Sequence, residues 1–306
     1  MKGWHIAVLL LLIIGAWYLG YINFNVPGSI QGPQPSAPAN MVAVTKPIKF
    51  AVTDPLAGSA VASASIQIYG PDKVLRETLT TDSSGSATTS LPYRSGETYY
   101  VKVSKTGYVT RWFTVSVPYM SQADAQSLTT NFVALQLVQL GTYTIKIVDQ
   151  FGNVYTSPAT INFTTLGVTS LTLTINIYNT KDNSGFVSST DPINGVSWGA
   201  VLLLSTAGTS VVVQNAGTSV VRGTTTYYIL PVSDNMLTRQ VISGQYVKPG
   251  VASLTITVSK GSLVKGQTQS FTLNLQAYFD PSYFAANGIG SLDAASLTTF
   301  TLNLAA

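Results

Sequence analysis

The chain has no cysteine, so it can hold neither a disulfide framework nor a thiolate metal site. It has a single histidine, His5, which lies within an apolar N-terminal run. Outside that run no Ser-His-Asp triad, Cys-His pair or ordinary zinc site can be assembled. Charge is scarce as well. Asp, Glu, Lys and Arg make up 9 % of the 306 residues, against roughly 25 % in an average soluble domain. Solubility then rests on Ser, Thr, Asn, Gln and backbone groups. A surface of this kind has few charges to desolvate when it packs against copies of itself.

The twelve acidic residues are spread singly along the chain, from Asp54 to Asp293. A glycosidase needs two carboxylates held at a defined separation, and no motif brings two together. Most sit beside Gly, Pro, Asn or Ser and read as turn residues. Asp182-Asn183-Ser184-Gly185 offers oxygen ligands and a Gly but lacks the alternating ligands and distal Glu of an EF-hand, so it too reads as a turn. The expectation is a chain with no catalytic residue, no cofactor and no metal, and so not an enzyme. The formal net charge is +4, with both signs interspersed and no basic stripe, which argues against a nucleic-acid partner.

What the chain does have, at its start, is an uncharged apolar run from Trp4 to Ile22. At about 1.5 Å per residue a helix of this length just crosses a hydrocarbon core of roughly 30 Å. Ile6, Leu9, Leu12 and Ile13 favour insertion, while Trp4 at one end and Trp17, Tyr18 and Tyr21 at the other fall where an interfacial aromatic belt lies. Lys2 is the nearest fixed charge and places the N-terminus inside and everything after Asn23 outside. Residues 1–24 are thus expected to be a transmembrane anchor in a lipid bilayer. Two other readings share the run. A secretory signal would be cleaved after Ala16, a site at which Ile14 in the −3 position is only tolerable. Lys2-Gly3 before an apolar helix also resembles the leader of archaeal type IV pilins, on a motif of two residues. All three readings put the remainder outside the cytoplasm.

Residues 25–40 read as a stalk. Pro27, Pro33, Pro35 and Pro38 with Gly28 and Gly32 cannot sustain a helix or a central strand and favour extended spacing. From Met41 the pattern is β throughout. Ala64 to Tyr69, Thr98 to Val103 and Trp112 to Val117 alternate or carry β-branched and aromatic residues, with turn signals between them. Asp82 and Gly85 suit a turn in Thr81-Asp82-Ser83-Ser84-Gly85. Together with Leu91-Pro92, Tyr99 to Val103 and Gly107-Tyr108, that turn resembles the carboxypeptidase regulatory-like (transthyretin-like) β-sandwich domain, over residues of about 42–139. The resemblance implies an Ig- or transthyretin-like sandwich acting as a spacer or accessory module without catalytic residues. It also implies a closing strand at Phe132 to Leu137, after a polar excursion from Tyr119 to Asn131 with room for one helical turn. The boundary is placed near Leu140-Gly141, giving a first lobe over 41–139.

Residues 140–306 read as a larger β-sandwich or jelly roll. Leu171 to Tyr178 is a clean period-two strand with Leu171, Leu173, Ile175 and Ile177 on one face. Val201 to Leu204, Val211 to Val213, Tyr227 to Leu230, Val251 to Val258 and Phe271 to Leu275 add further strands. Phe271-Thr272-Leu273-Asn274-Leu275 recurs as Phe300-Thr301-Leu302-Asn303-Leu304, an alternation that marks either an internal repeat or chance. The last strand, ending two residues before Ala306, is expected to pair within its sheet or to be lent to a neighbour. Tyr99-Tyr100, Tyr227-Tyr228 and Tyr278 with Tyr283-Phe284 are set either to stack on carbohydrate or to fill the core. Asn162-Phe163-Thr164 is the sole N-glycosylation sequon, making Asn162 the candidate acceptor.

The all-β fold, the anchor and the low charge imply a non-catalytic, membrane-anchored surface protein packed into a multi-subunit assembly. Its composition is archaeal-like and resembles that of thermoacidophile surface proteins and their viruses. A virion spike, turret or capsid-membrane component is the leading expectation, with coat or capsid neighbours and other copies of itself as partners. The alternatives are an adhesin that recognises a glycan or host receptor, and a pilin- or thread-like filament subunit.

Overall fold

The computed structural model describes residues 37–306. The expected anchor over residues 1–24, its rival cleavage and leader sites, and most of the stalk lie outside the described residues. Among the described residues no helix is long and apolar enough to cross a membrane. Residues Asn40–Ala306 form one compact unit.

Strands between residues 45 and 136 pair only with one another, and so do those between 143 and 305. In the first lobe a four-stranded antiparallel sheet has the order Leu75–Thr80, Ser65–Tyr69, Thr98–Ser104, Arg111–Ser116. Facing it, Ile48–Asp54 pairs in parallel with Asn131–Gln136 and antiparallel with Ser86–Thr88 and Ser59–Ala60. Period-two alternation drives this packing. Ile48, Phe50 and Val52 from one sheet meet Ile66, Ile68, Val101 and Val103 from the other, all fully buried. A strand at Asn131–Gln136 overlaps the segment Phe132 to Leu137 that reads as extended, and Gln122–Ser127 forms a helical turn before it, capped by Ser121. The turn at Asp82 forms as its chemistry demands. Asp82 Oδ1 accepts from the Ser84 and Ser86 N–H groups at 2.8 and 2.9 Å. Gly85, at φ +74°, lies so close to the Val52 carbonyl that a Cβ there would sit 2.5 Å from it.

The second lobe is a sandwich of a five-stranded and a seven-stranded sheet. In the smaller sheet Ser170–Asn179 lies between Tyr143–Asp149 and Val251–Ser259, and Leu171, Leu173, Ile175 and Ile177 are all at 0 % exposure. Their Thr and Asn neighbours face outward, where β-branched and polar side chains suit a half-buried pleat. Each of those four aliphatic side chains contributes roughly 1.5–3 kcal/mol by leaving water. The larger sheet is centred on Val196–Thr206, where Ala200 to Leu204 is buried on both faces. Leu202 and Leu204 face the main core, while Val201 and Leu203 join Ile229, Phe279 and Phe284 in a second cluster. Phe284 belongs to a helix, Pro281–Asn287, that lies over this outer face.

The two recurring pentapeptides are partners in one hairpin. Thr268–Phe279 and Ala295–Ala305 pair antiparallel with Phe271 opposite Leu302, Thr272 opposite Thr301 and Leu273 opposite Phe300. Each pentapeptide Asn accepts from a serine across the ladder, Asn303 from Ser270 at 2.6 Å and Asn274 from Ser296 at 2.7 Å. The other edge of the last strand is taken by Ala159–Asn162 in parallel, so both of its sides are paired within the sheet.

Candidate functional site

The acidic residues are committed to holding the fold. Asp54, Asp82, Asp149, Asp191 and Asp280 each accept from two backbone N–H groups of their own turn, at 2.8 to 3.1 Å. Asp234 holds Ser188 through its N–H at 2.6 Å and its hydroxyl at 2.9 Å, Glu77 does the same for Ser90, and Asp124 caps with Ser121. Glu97 accepts from the Tyr99 hydroxyl, and Asp72, Asp182 and Asp293 pair with Arg76, Arg239 and Lys102. Among the described residues no group of three or more His, Cys, Asp and Glu side chains could hold a metal. The Asp182 loop is the turn its sequence suggested. Asp182 pairs with Arg239 Nε at 2.8 Å, Asn183 accepts from the Val241 N–H, and Ser184 is buried.

The tyrosines singled out by sequence serve the interior. Tyr99 is in the first lobe's core, edge-on to Tyr93 at 4.8 Å, and burial pushes its phenol up to about 12. Tyr227 stands edge-on to Phe284 at 5.2 Å, and Tyr228 and Tyr283 pack on the second lobe's main core. Asn162 is half-buried, and its Oδ1 accepts from the Thr165 N–H at 2.9 Å to cap the turn Phe163–Leu166.

An assembly of aromatic and charged side chains lies where the lobes meet. In Thr98–Ser104 and Arg111–Ser116 the pleat sends Tyr99, Val101 and Val103 inward and Tyr100, Lys102 and Trp112 to the opposite face, Lys102 lying directly across from Trp112. That face is covered by the second lobe, whose core cluster continues across to include Val109 and Trp112 and packs against Tyr69 and Tyr100. Lys102 Nζ sits 5.7 Å from the ring centroids of both Trp112 and Trp198 and 3.0 Å from each carboxylate oxygen of Asp293. Tyr69 packs on Trp112 at 5.3 Å, and Tyr278 on Trp198 at 5.2 Å. Backbone bonds tie the seam together. The Thr110 N–H donates to Tyr278 Oη at 2.9 Å, and the Trp112 N–H to Ser189 Oγ at 2.9 Å.

Tyr278 reaches the seam because its backbone is left-handed, at φ +56°, at the end of a bulged strand. The Ser291 hydroxyl holds its carbonyl at 2.6 Å. Burial raises the phenol pKa of Tyr278, and burial with Asp191 and Asp293 nearby raises that of Tyr69, so both stay protonated as hydrogen-bonding groups. In the joint Lys102 is neutralised by Asp293. The joint's chemistry is cohesion. The connecting segment strengthens it, since Leu140 N–H donates to the Gly107 carbonyl at 2.8 Å and Gly185 N–H to the Gln139 carbonyl at 2.9 Å.

No family model matches the chain, and no curated protein matches it. Among solved structures it is similar to the major pilin subunit BcpA of Bacillus cereus, at 14 % identity and TM-score 0.37, covering 85 % of this chain and 69 % of that one. It is also similar to the major pilin SpaD of Corynebacterium diphtheriae, at 13 % identity and TM-score 0.32, over 76 % and 61 % of the two chains. The shaft pilin spaA of Lactobacillus rhamnosus GG matches at 12 % identity and TM-score 0.25, over 86 % and 98 %. Likenesses this distant carry no argument about the chain.

Proposed function

We propose that the chain is a non-catalytic structural subunit of a surface assembly outside the cytoplasm, of filament type, with other copies of itself as its principal partners. The observation that carries this reading is the joint. Two-domain chains ordinarily meet through modest, polar interfaces that permit relative motion. Here an apolar core spans the seam, and a two-oxygen ion pair between tryptophans closes it. A stiff joint of that kind suits a subunit that transmits load, and the commitment of the acids to turns and caps suits a chain without catalysis. Sheet faces rich in Thr, Ser and Asn and sparse in charge leave little to desolvate on contact between copies. In this reading residues 42–139 act as a transthyretin-like spacer module. The virion expectation depends on an anchor outside the described residues and is not carried forward. Sedimentation and negative-stain microscopy of the purified full chain test the proposal. Concentration-dependent polymers are expected, and a monomer at every concentration would remove it.

A further inference from the structure

The outer face of the five-stranded sheet and the hairpin formed by Arg239–Ile242 and Gln245–Pro249 enclose an open groove of about 410 Å³. Its floor is one register row across three strands, Thr144 opposite Tyr178 and Tyr178 opposite Val251. Lys146 lies in the same groove with Nζ 5.6 Å from the centroid of the Tyr178 ring. Tyr246 of the hairpin, 63 % exposed, forms the facing wall, with the Arg239 guanidinium 4.3 Å from its ring. The two cations differ. Arg239 is matched by Asp182 at 2.8 Å, while Lys146 takes part in no ion pair among the described residues. The groove therefore carries one uncompensated positive charge over the Tyr178 ring, in a lining that also includes Tyr246 and the hydroxyls of Thr144 and Thr180.

We propose that this groove binds an acidic saccharide, with a pyranose ring against Tyr178 and Tyr246 and its carboxylate on Lys146. The volume falls in the range of small-molecule sites, about 300–1,000 Å³. Tyrosine offers a flat apolar face with a polar tip, which suits the C–H face of a sugar flanked by hydroxyls. An ammonium beside a carboxylate adds a charge-assisted hydrogen bond, roughly twice as strong as a neutral one. A neutral sugar would leave Lys146 unanswered. A nucleic acid would find one free cation rather than a track of them. The site is independent of the assembly reading, since a monomer could bind the sugar equally well.

Titration calorimetry of the full chain with trigalacturonate and with its carboxyl-reduced counterpart tests the inference. The acid should bind, and the reduced sugar should bind at least about tenfold more weakly, given the charge-assisted contact. Lys146→Met should remove that difference by weakening the acid alone, and Tyr246→Ala should weaken both sugars. Raising salt from about 0.05 to about 0.5 M should weaken the acid only. Tyr246 is exposed and Lys146 faces solvent, so circular dichroism should show both variants folded. No heat with either sugar, equal affinity for the two, wild-type binding by both variants, or tighter binding of oligothymidylate would each overturn the proposal.

Discussion

Among the described residues three lysines sit against aromatic rings, and two of them, Lys102 and Lys146, differ in closure and in charge partner. Lys102 lies between two tryptophans, 19 % exposed at its side chain, and holds both oxygens of Asp293. Lys146 lies over one tyrosine, exposed, and faces an open groove without a carboxylate of its own. The same cation-on-ring contact is worth about 0.5–1 kcal/mol in water and about 2 or more when desolvated. Closure and neutralisation turn the first into a structural fastening. Openness and surplus charge leave the second able to take a ligand.

The strongest way to break this comparison is to empty the closed site. Trp112 is 8 % exposed and belongs to the core cluster that spans both lobes, so Trp112→Ala should cost about 3–5 kcal/mol. Because the cost falls on the seam, denaturant unfolding should change from one transition to two as the lobes uncouple. A single, merely shifted transition would show that the joint does not hold them together.

A milder change addresses the charge alone. Lys102→Met keeps the apolar stem between the indoles and strands Asp293, whose side chain is 32 % exposed. Water reaches that carboxylate in part, so the expected loss is about 1–2 kcal/mol rather than the larger penalty of a fully buried pair. A double-mutant cycle with Asp293→Asn should return a coupling of about 1 kcal/mol. Zero coupling would reduce the ion pair to decoration.

Much of the fold is legible in the sequence. Alternation marks Leu171 to Tyr178, and the uninterrupted run at Val201 to Leu204 marks a strand buried on both faces. Turn chemistry at Asp82 and Gly85 is equally local. The helix Pro281–Asn287 escaped the sequence reading, although Asp280 as N-cap, Pro281 behind it and Gly288 at the C-terminal end spell it out. Its Phe284, a candidate for stacking on carbohydrate, instead covers the outer face of a sheet. The joint is the least legible part. Lys102 and Trp112 are cross-strand neighbours in one hairpin, but Trp198 and Asp293 lie far along the sequence, and only the docking of that sheet's outer face brings them onto the pair. Tyr246 and Tyr178 come to line one groove for a similarly non-local reason, because a hairpin folds back beside a sheet.

A third tyrosine site extends the comparison to an acid held without a cation. Asp149 is buried, which opposes its ionisation, but hydrogen bonds from Asn153, Tyr155 and the Asn153 and Phe151 amides outweigh that and lower its pKa. Its contribution to stability is therefore present above the ordinary value of 3.8 and is lost as pH falls through the depressed one. Tyr155 moves the other way, pushed up to about 12 by burial and by Asp149. Its contribution is complete below pH 10 and is lost as pH rises through about 12. Thermal melts across pH should show both losses in the wild type, and Tyr155→Phe should reduce the alkaline one, leaving the part that Tyr99 and the other buried phenols contribute.

The smallest expected effect sharpens the comparison most. Lys146→Met makes the same chemical change as Lys102→Met, in a strand of similar burial pattern and beside an aromatic ring. At Lys146 no carboxylate is stranded, because none pairs with it among the described residues, and the methionine stem can still lie along Tyr178. Its stability should therefore stay within about 0.5 kcal/mol of wild type, as for surface substitutions in general. Measured side by side in one denaturant series, the two variants isolate what closure adds to an otherwise equal contact. If Lys146→Met proves as costly as Lys102→Met, the groove is already a filled structural site, and its lysine is not held in reserve for a ligand.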